Sequence, residues 1–209
     1  MRKVFLATLG FDATVVISSI VQKGLSPRDE IYLITASAQH PRAESAAKSV
    51  QDFVEKINPK VKVRVLHLDE RNPEESISEL VKLILEASRS AEVIVDVSGG
   101  PKSLSLALFA AASLAGVQEV GLTVETTGEK IRFPALPTPL PRLTEKQLQA
   151  LKLLPLPVKE LASRMGVTTA AASRLLRRMS ERGVVAASQE GYAATLLGRL
   201  LLKLQSGGR

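Results

Sequence analysis

The chain of 209 residues is 45% hydrophobic but holds only five Phe, two Tyr and no Trp, so aliphatic side chains must form its cores. It contains no cysteine, and its two histidines lie on different segments, so we expect neither disulfides nor a metal site. No apolar run approaches the ~20 residues that span a membrane, and the sequence opens on a strand pattern instead of a signal peptide. We expect a cytoplasmic protein with no membrane partner.

The positive charge is concentrated in the last third of the chain. Residues 1–133 carry 16 Lys and Arg against 17 Asp and Glu, a net charge of −1, whereas residues 134–209 carry 12 against 4, a net charge of +8. Clustered Lys and Arg neutralise phosphates and release condensed counterions. The sequence therefore predicts a neutral N-terminal domain and a nucleic-acid-binding C-terminal domain.

The N-terminal domain, residues 1–133, alternates short β-branched runs with longer segments of helical period, which is typical of an α/β fold with a parallel sheet. The predicted strands are Lys3–Leu9, Glu30–Ala36, Val61–His67, Val93–Val97 and Glu119–Val124. The predicted helices are Ala13–Gln22, Arg42–Ile57, Glu74–Ser88 and Lys102–Ala115. Open sheets of this kind bind ligands beyond the carboxyl ends of their strands, so the loops there are candidate sites.

Two of these loops follow the first and second predicted strands. In the first, Gly10 permits a sharp turn, Phe11 follows it, and Asp12 is available to cap the next helix or to contact a ligand. The second is polar, contains Ser37 and ends at Arg42, a candidate phosphate ligand. The histidines at its end and at the end of the third strand are expected to be solvated and not catalytic.

The loop after the fourth predicted strand carries the strongest signal, Asp96-Val97-Ser98-Gly99-Gly100-Pro101-Lys102-Ser103. Glycines allow close backbone approach, the amide groups at a helix start favour an anion, and the lysine adds a positive charge. The pattern predicts a phosphate site. The alternative is that Gly-Gly-Pro serves only as a strand-to-helix turn.

Two common nucleotide motifs are missing. A P-loop requires Gly-Lys-Ser/Thr, but Pro101 precedes Lys102 here. The first strand is followed by one glycine where a dinucleotide-binding fingerprint has three. Ordinary ATP, NAD or FAD binding is therefore disfavoured, and no cofactor is expected.

Residues 134–142 contain four prolines and are predicted to form a stiff, extended connector. Residues 143–209 are predicted to form a winged helix-turn-helix. Thr144 caps a first helix, residues 158–167 form a short helix ended by a turn glycine, and residues 168–182 form the second helix of the motif. A small β-wing follows at residues 184–195.

The second helix of this motif has an apolar face and an arginine-rich face. A core stripe opposite arginines is typical of a helix that reads the major groove of DNA. The candidate DNA contacts are Thr169, Ser173, Arg174, Arg177, Arg178 and Arg182. The alternative is a solvated arginine face on a protein-interaction module.

Together, the strand-end sequence Ser-Gly-Gly-Pro-Lys and the attached winged helix-turn-helix resemble the CARF-type regulators of CRISPR-Cas systems, named for the CRISPR-associated Rossmann fold. The resemblance implies a homodimer that binds a cyclic oligoadenylate, expected to be cyclic tetra-adenylate, across its two-fold axis, and promoter DNA through the winged domain. It assigns the ligand by motif to two loops and, by position only, to the loop that ends at Arg42. The residues implied are Gly10, Phe11, Asp12, Ser37, Arg42, Ser98, Gly99, Gly100, Lys102 and Ser103.

The leading hypothesis is a ligand-gated transcription factor of antiviral defence that is not an enzyme. One alternative is a ring nuclease, in which Lys102 helps to cleave the cyclic ligand, although the sequence offers no convincing general base. The other alternative is a metabolite-responsive transcription factor outside CRISPR defence.

Overall fold

The computed structural model describes residues 2–38, 40–124, 126–135 and 140–206, without the side chains of residues 205 and 206. The chain divides into two compact units, Met1–Pro139 and Leu140–Arg209, and this division falls within the predicted connector. Within the described ranges, no helix combines the length and the apolar character needed to cross a membrane.

The N-terminal unit is an α/β fold, as the sequence predicted. Its strands are β1 (Lys3–Thr8), β2 (Glu30–Ala36), β3 (Lys62–Leu68), β4 (Glu92–Asp96), β5 (Glu119–Thr123) and β6 (Lys130–Pro134). Its helices are α1 (Thr14–Lys23), α2 (Pro41–Ile57), α3 (Pro73–Ala87) and α4 (Lys102–Leu114). The five predicted strands and four predicted helices are present, and no end is shifted by more than one residue.

The strands are ordered β3-β2-β1-β4-β5-β6, and all neighbouring pairs are parallel except β5 with β6. The chain leaves β1 towards β2 on one side, whereas β4 lies on the other side of β1. This reversal is the topological switch point of a Rossmann-like sheet, where the loops beyond the strands diverge and leave a crevice.

Helices cover both faces of the sheet, but one face only in part. Side chains of β1 and β2 that point to one face pack with α1 and α2 in a core that includes Phe5, Ile31, Leu33 and Val50. Helices α3 and α4 pack together against the other face. Over β4, β5 and β6, the first face borders an open groove of about 800 Å³ beside α1.

Strand β6 was not predicted. Its residues pair antiparallel with β5, from Lys130 opposite Thr123 to Pro134 opposite Glu119. Pro134, assigned from the sequence to the connector, is the last residue of this strand, and the next amide donates to Gln118 O at 2.8 Å. Proline is tolerated there because β6 is an edge strand.

The C-terminal unit contains α5 (Glu145–Leu153), α6 (Val158–Arg164), α7 (Thr169–Glu181), β7 (Val185–Ser188), β8 (Gly191–Ala194) and α8 (Leu196–Ser206). Thr144 caps α5 in a reciprocal capping box with Gln147, and Gly166, at φ +63°, forms the turn between α6 and α7. Its core contains Leu151, Leu161, Leu176, Met179 and Leu201. β7 and β8 form an antiparallel hairpin.

Candidate ligand-binding edge and nucleic-acid interface

Two of the predicted ligand loops meet at the switch point between β1 and β4. A Cβ atom added to Gly10 would lie 3.1 Å from Gly100 N, and one added to Gly99 would lie 2.7 Å from Thr8 O. Gly100 also has φ +79°, a conformation that favours glycine. Both glycines of the Gly-Gly pair are therefore required for the two loops to pack together, whether or not a ligand binds.

Ser98 joins the ends of β4 and β5. Its amide donates to Asp96 Oδ1 at 2.9 Å, and its Oγ accepts hydrogen bonds from Thr123 N at 2.8 Å and Thr123 Oγ1 at 3.1 Å. These two bonds occupy the acceptor positions of the hydroxyl. Among the described residues, the hydroxyl proton of Ser98 has no acceptor, so it is available to a ligand.

The start of α4 presents Lys102 and Ser103, and both side chains are exposed. Ser103 Oγ lies 3.5 Å from Glu70 Oε2, a long contact across to the end of β3. Among the described residues, Lys102 has no ion pair or hydrogen bond through its side chain. It is therefore a free cation where the unpaired amides of a helix start already favour an anion.

Phe11, in the loop after β1, contacts two residues at the end of the loop after β2. The Arg42 guanidinium carbon lies 4.8 Å from the centroid of the Phe11 ring, and the His40 ring centroid lies 4.6 Å from the same centroid. Phe11 nevertheless remains 53% exposed. Arg42, assigned to the site only by its position in the sequence, thus contacts a residue of the first loop.

Asp12 and Ser37 have local structural partners. Asp12 Oδ1 accepts a hydrogen bond from the amide of Thr14 at 2.8 Å, and this bond lowers the pKa of Asp12. The amide of Ser37 donates to Leu68 O at 2.8 Å and extends the pairing of β2 with β3. The Asp12 carboxylate therefore organises the start of α1, while the Ser37 side chain is exposed at the β3 side of the edge.

Both histidines of the chain line one cleft, although they lie on different segments of the sequence. The cleft has a volume of about 190 Å³ and lies between α2 and the ends of β2 and β3. His67 pairs in register with Thr35, and His40 caps α2 by accepting from the Arg42 amide at 3.2 Å. Within the part of the chain that the structure describes, no group of three or more His, Cys, Asp or Glu side chains is placed to hold a metal ion.

Residues 98–102 are called the glycine loop below. Three polar residues beneath this loop were not identified from the sequence as site residues. Asp96 is buried at the end of β4, and its Oδ2 accepts a hydrogen bond from Ser19 Oγ of α1. Lys130 Nζ of β6 donates to Ser19 Oγ at 2.6 Å and to Val15 O at 3.4 Å. Burial lowers the pKa of Lys130, and the nearby Asp96 carboxylate opposes this shift.

In the C-terminal unit, the predicted DNA-contacting residues are exposed on α7 or, in the case of Arg182, directly after its last residue. Buried Ala172, Leu176 and Met179 form the opposite side. The exposed candidates are Thr169, Ser173, Arg174, Arg177, Arg178 and Arg182.

The arginines of this helix differ in their partners. Arg177 Nε pairs with Glu181 Oε1 at 3.1 Å, and Arg182 donates to Arg142 O at 3.0 Å. Among the described residues, the side chains of Arg174 and Arg178 make neither an ion pair nor a hydrogen bond. These two are therefore the free cations of α7.

Residues 3–134 match the model of the Csa3 CRISPR-associated Rossmann-like domain. The chain belongs to this family. The match begins and ends with the six-stranded unit, and it includes both loops that meet at the switch point of the Csa3-type domain.

No curated protein matches the chain. Similar solved structures include protein VC1899 from Vibrio cholerae, at 11% identity and a TM-score of 0.48, covering 97% of this chain and 64% of that one. Another is Enterococcus italicus Csm6 bound to cyclic hexa-2'-fluoro-hexa-dAMP, at 10% identity and a TM-score of 0.45, covering 88% of this chain and 56% of that one. The chain thus spans less than two thirds of the length of either protein.

Proposed function

We propose that the protein is a CRISPR-associated transcriptional regulator. In this proposal, its Csa3-type domain binds a cyclic oligoadenylate, with cyclic tetra-adenylate as the expected ring, and its C-terminal unit binds promoter DNA. The observation that carries the proposal is the presence, in one chain, of a Csa3-type domain with two loops packed at its switch point and a separate unit with free arginines on an exposed helix.

The ligand edge suits an anion that carries bases. Lys102 and the start of α4 supply positive potential, and Ser98 supplies a hydroxyl donor. Phe11 supplies an exposed aromatic surface, on which bases stack favourably. Phosphates and nucleobases are the two components of an oligoadenylate.

A homodimer is part of the proposal because a ligand with two-fold symmetry needs the same edge from two copies. An exposed apolar patch lies on α4, the helix that follows the glycine loop. Leu106 is 69% exposed, and Phe109 makes an edge-to-face contact at 5.8 Å with Phe133, which is 45% exposed. Exposed apolar patches of this kind favour protein contacts, so we place a second copy against α4.

The C-terminal unit is proposed to be a winged helix-turn-helix that places α7 in the major groove of DNA. The tight turn at Gly166, the arginine face of α7 and the β7–β8 hairpin support this assignment. The hairpin, residues 185–194, has no Lys or Arg and one Glu, so we expect it to contribute little to phosphate binding. In a dimer, two copies of α7 would read half-sites about 34 Å apart.

Isothermal titration of the full chain with cyclic tetra-adenylate tests the ligand. We expect saturable binding with one ring per two chains, and Lys102→Ala should weaken it about tenfold, because a charge-assisted contact to phosphate is lost. Lys82→Ala, which removes an exposed lysine of α3, is the matched control and should leave the affinity unchanged. No binding to the wild-type chain would refute the ligand assignment, and preference for cyclic hexa-adenylate would correct the ring size.

DNA binding is tested with a duplex that the protein selects from a random pool. We expect a dimer on a two-fold symmetric site and an affinity that changes when cyclic tetra-adenylate is added. We propose that the protein acts by binding, so the ring should be recovered intact after incubation. Linear products that appear with wild-type protein but not with Lys102→Ala would instead identify a ring nuclease.

A further inference from the structure

The loop that begins at Ser98, helix α1 and strand β6 are connected by one chain of hydrogen bonds. It begins at the Ser98 amide, passes through the Asp96 carboxylate to Ser19 of α1, and ends at Lys130 of β6. We call these four residues the Asp96 network. Its members come from three separate segments of the sequence, around positions 19, 96–98 and 130, so only the folded sheet assembles them.

Asp96 is the centre of the network because each of its carboxylate oxygens holds a different element. Oδ1 accepts from the Ser98 amide at 2.9 Å, which fixes the first residue of the glycine loop, and Oδ2 accepts from Ser19. Asp96 is only 9% exposed, so its rotation is restricted and the loss of one partner is not readily replaced by water.

Gly121 of β5 leaves room for this carboxylate. A Cβ atom added to Gly121 would lie 3.2 Å from Asp96 Oδ2 and 3.4 Å from Val95 O. Gly121 does not have a positive φ, so conformational freedom does not explain the glycine. The glycine is explained by the space that the Asp96 carboxylate needs. The methyl group of an alanine at this position would crowd that carboxylate.

Lys130 fixes α1 against β6. Its ammonium donates to Ser19 Oγ at 2.6 Å and lies 3.4 Å from Val15 O, so one cation holds two successive turns of the helix. Because Lys130 occupies an acceptor position of the Ser19 hydroxyl, the Ser19 proton is directed to Asp96. Lys130 is partly buried, and the reduced access of water strengthens these bonds.

The network therefore connects the glycine loop to α1 and to β6. Helix α1 begins directly after the loop that contains Phe11, and Ser98 begins the other loop. β6 is the last strand before the segment that leads to the C-terminal unit. A shift of either loop on ligand binding would change the hydrogen bonds at Asp96 and hence the position of β6.

We infer that Asp96, Ser19 and Lys130 are positioning residues that set the two ligand loops relative to each other and transmit ligand binding to β6. The inference rests on the proposed function, since it explains how that site would be regulated. None of the three needs to contact the ligand.

The first test measures amide hydrogen exchange by NMR in the full chain without ligand. In Ser19→Ala and Gly121→Ala, we expect the Ser98 amide to exchange at least about fivefold faster, because its acceptor is no longer fixed. Ser18→Ala, the neighbouring position on α1, is the matched control and should leave the rate unchanged. Unaltered Ser98 exchange in both variants would overturn the inference, whatever the ligand proves to be.

The second test measures DNA affinity with and without cyclic tetra-adenylate. The quantity compared is the ratio of DNA affinity with the ring to DNA affinity without it, and coupling between sites usually gives a ratio of about 5- to 150-fold. If wild type shows such a ratio, Lys130→Met should reduce it towards one and should retain the DNA affinity measured without ligand. Lys130→Arg, which keeps a cation that can donate to Ser19, should restore most of the ratio. Lys62→Met, on the opposite edge strand β3, is the control and should behave as wild type.

The outcomes separate the inference from the function on which it rests. A wild-type chain that binds neither cyclic tetra-adenylate nor DNA refutes the proposed function and leaves the exchange experiment to decide the role of the network. A wild-type chain that binds both refutes the transmission to β6 in either of two cases: its DNA affinity does not change with the ring, or Lys130→Met keeps the full change and the wild-type melting temperature. Loss of the ratio in Lys130→Met but not in Lys62→Met supports it.

Discussion

At the carboxyl edge of the N-terminal sheet, several polar side chains hold backbone amides beside the free Lys102, whereas on α7 of the C-terminal unit two arginines are exposed and, among the described residues, have no partner. Ser98, Asp12 and Asp96 each hold a backbone amide in place. Among the described residues, the side chains of Arg174 and Arg178 make no hydrogen bond and no ion pair. The first surface is organised before any ligand arrives, and the second offers charge that a partner must organise.

This difference matches what each surface is proposed to recognise. A small ring needs donors fixed within a narrow geometry, and internal hydrogen bonds remove the cost of ordering them on binding. A DNA backbone presents a phosphate every few ångströms, so flexible exposed cations find partners in many registers. Substitutions at the first surface should therefore change stability and geometry, and those at the second should change affinity and its dependence on salt.

The largest expected effect is on DNA binding. The double substitution Arg174→Ala and Arg178→Ala should weaken binding to the selected duplex about 100-fold, because two unpaired cations that reach bases or phosphates are lost. Titrations by fluorescence anisotropy at several salt concentrations measure this. The slope of log affinity against log salt should fall by about 0.9 for each phosphate contact removed.

The control for this prediction is Arg164→Ala on α6. Arg164 is already paired with Glu160 at 2.6 Å, so its removal should change DNA affinity less than about threefold. An equal loss in the control and in the double variant would mean that α7 is not the reading helix.

The next largest effect is on stability at the switch point. Gly99→Ala should lower the free energy of unfolding by about 2 kcal/mol, because the new methyl group would meet Thr8 O and the two loops must separate. Gly128→Ala, at φ +70° but with open space around it, should cost only about 1 kcal/mol. Urea unfolding of both variants makes the comparison, and equal losses would contradict the close packing of the loops.

A smaller effect should follow from freeing a third arginine of α7. Glu181→Gln removes the partner of Arg177, so DNA affinity should rise about threefold, in line with the small free energy of an exposed ion pair. Glu160→Gln releases Arg164 on α6 in the same way and should have no such effect. A gain of affinity in both variants would indicate a general charge effect in place of a contact by Arg177.

The smallest effect concerns Asp12 and pH. The Thr14 amide lowers the pKa of Asp12, so the charged carboxylate stabilises the folded state above the unfolded pKa of about 3.9, and this contribution is lost as pH falls through the folded pKa. Asp12→Ala should therefore lower the free energy of unfolding by about 0.5 kcal/mol at neutral pH and by almost nothing at an acid pH well below the folded pKa. Urea unfolding at both pH values measures it. A difference that persists in acid would show that the side chain acts by packing.

The strand and helix pattern of the N-terminal unit could be predicted because it depends on local periodicity. Apolar runs such as residues 93–97 mark buried parallel strands, and residues 42–57 show helical spacing. β6 escaped prediction because two of its five residues are charged and it ends in Pro134, which suggested a connector. Only its pairing with β5 makes it a strand.

The candidate site was predictable in part for a similar reason. Gly10 and the Ser98–Ser103 segment were identifiable because loops after parallel strands lie at one edge of a sheet. Lys130 and Ser19, which lie 111 positions apart, carried no local signal of a shared role. The stacking of Arg42 on Phe11 likewise depends on how the loops of neighbouring strands approach each other.

The sequence by itself determined the alternation of strands and helices, the glycine loop and the division of charge between the two parts of the chain, because spacing and composition are properties of neighbouring residues. The tertiary structure decided which side chains meet under the glycine loop and which arginines of α7 stay free. Hydrogen bonds and ion pairs act only over a few ångströms, so they depend on strand order and on the partners that folding brings within reach.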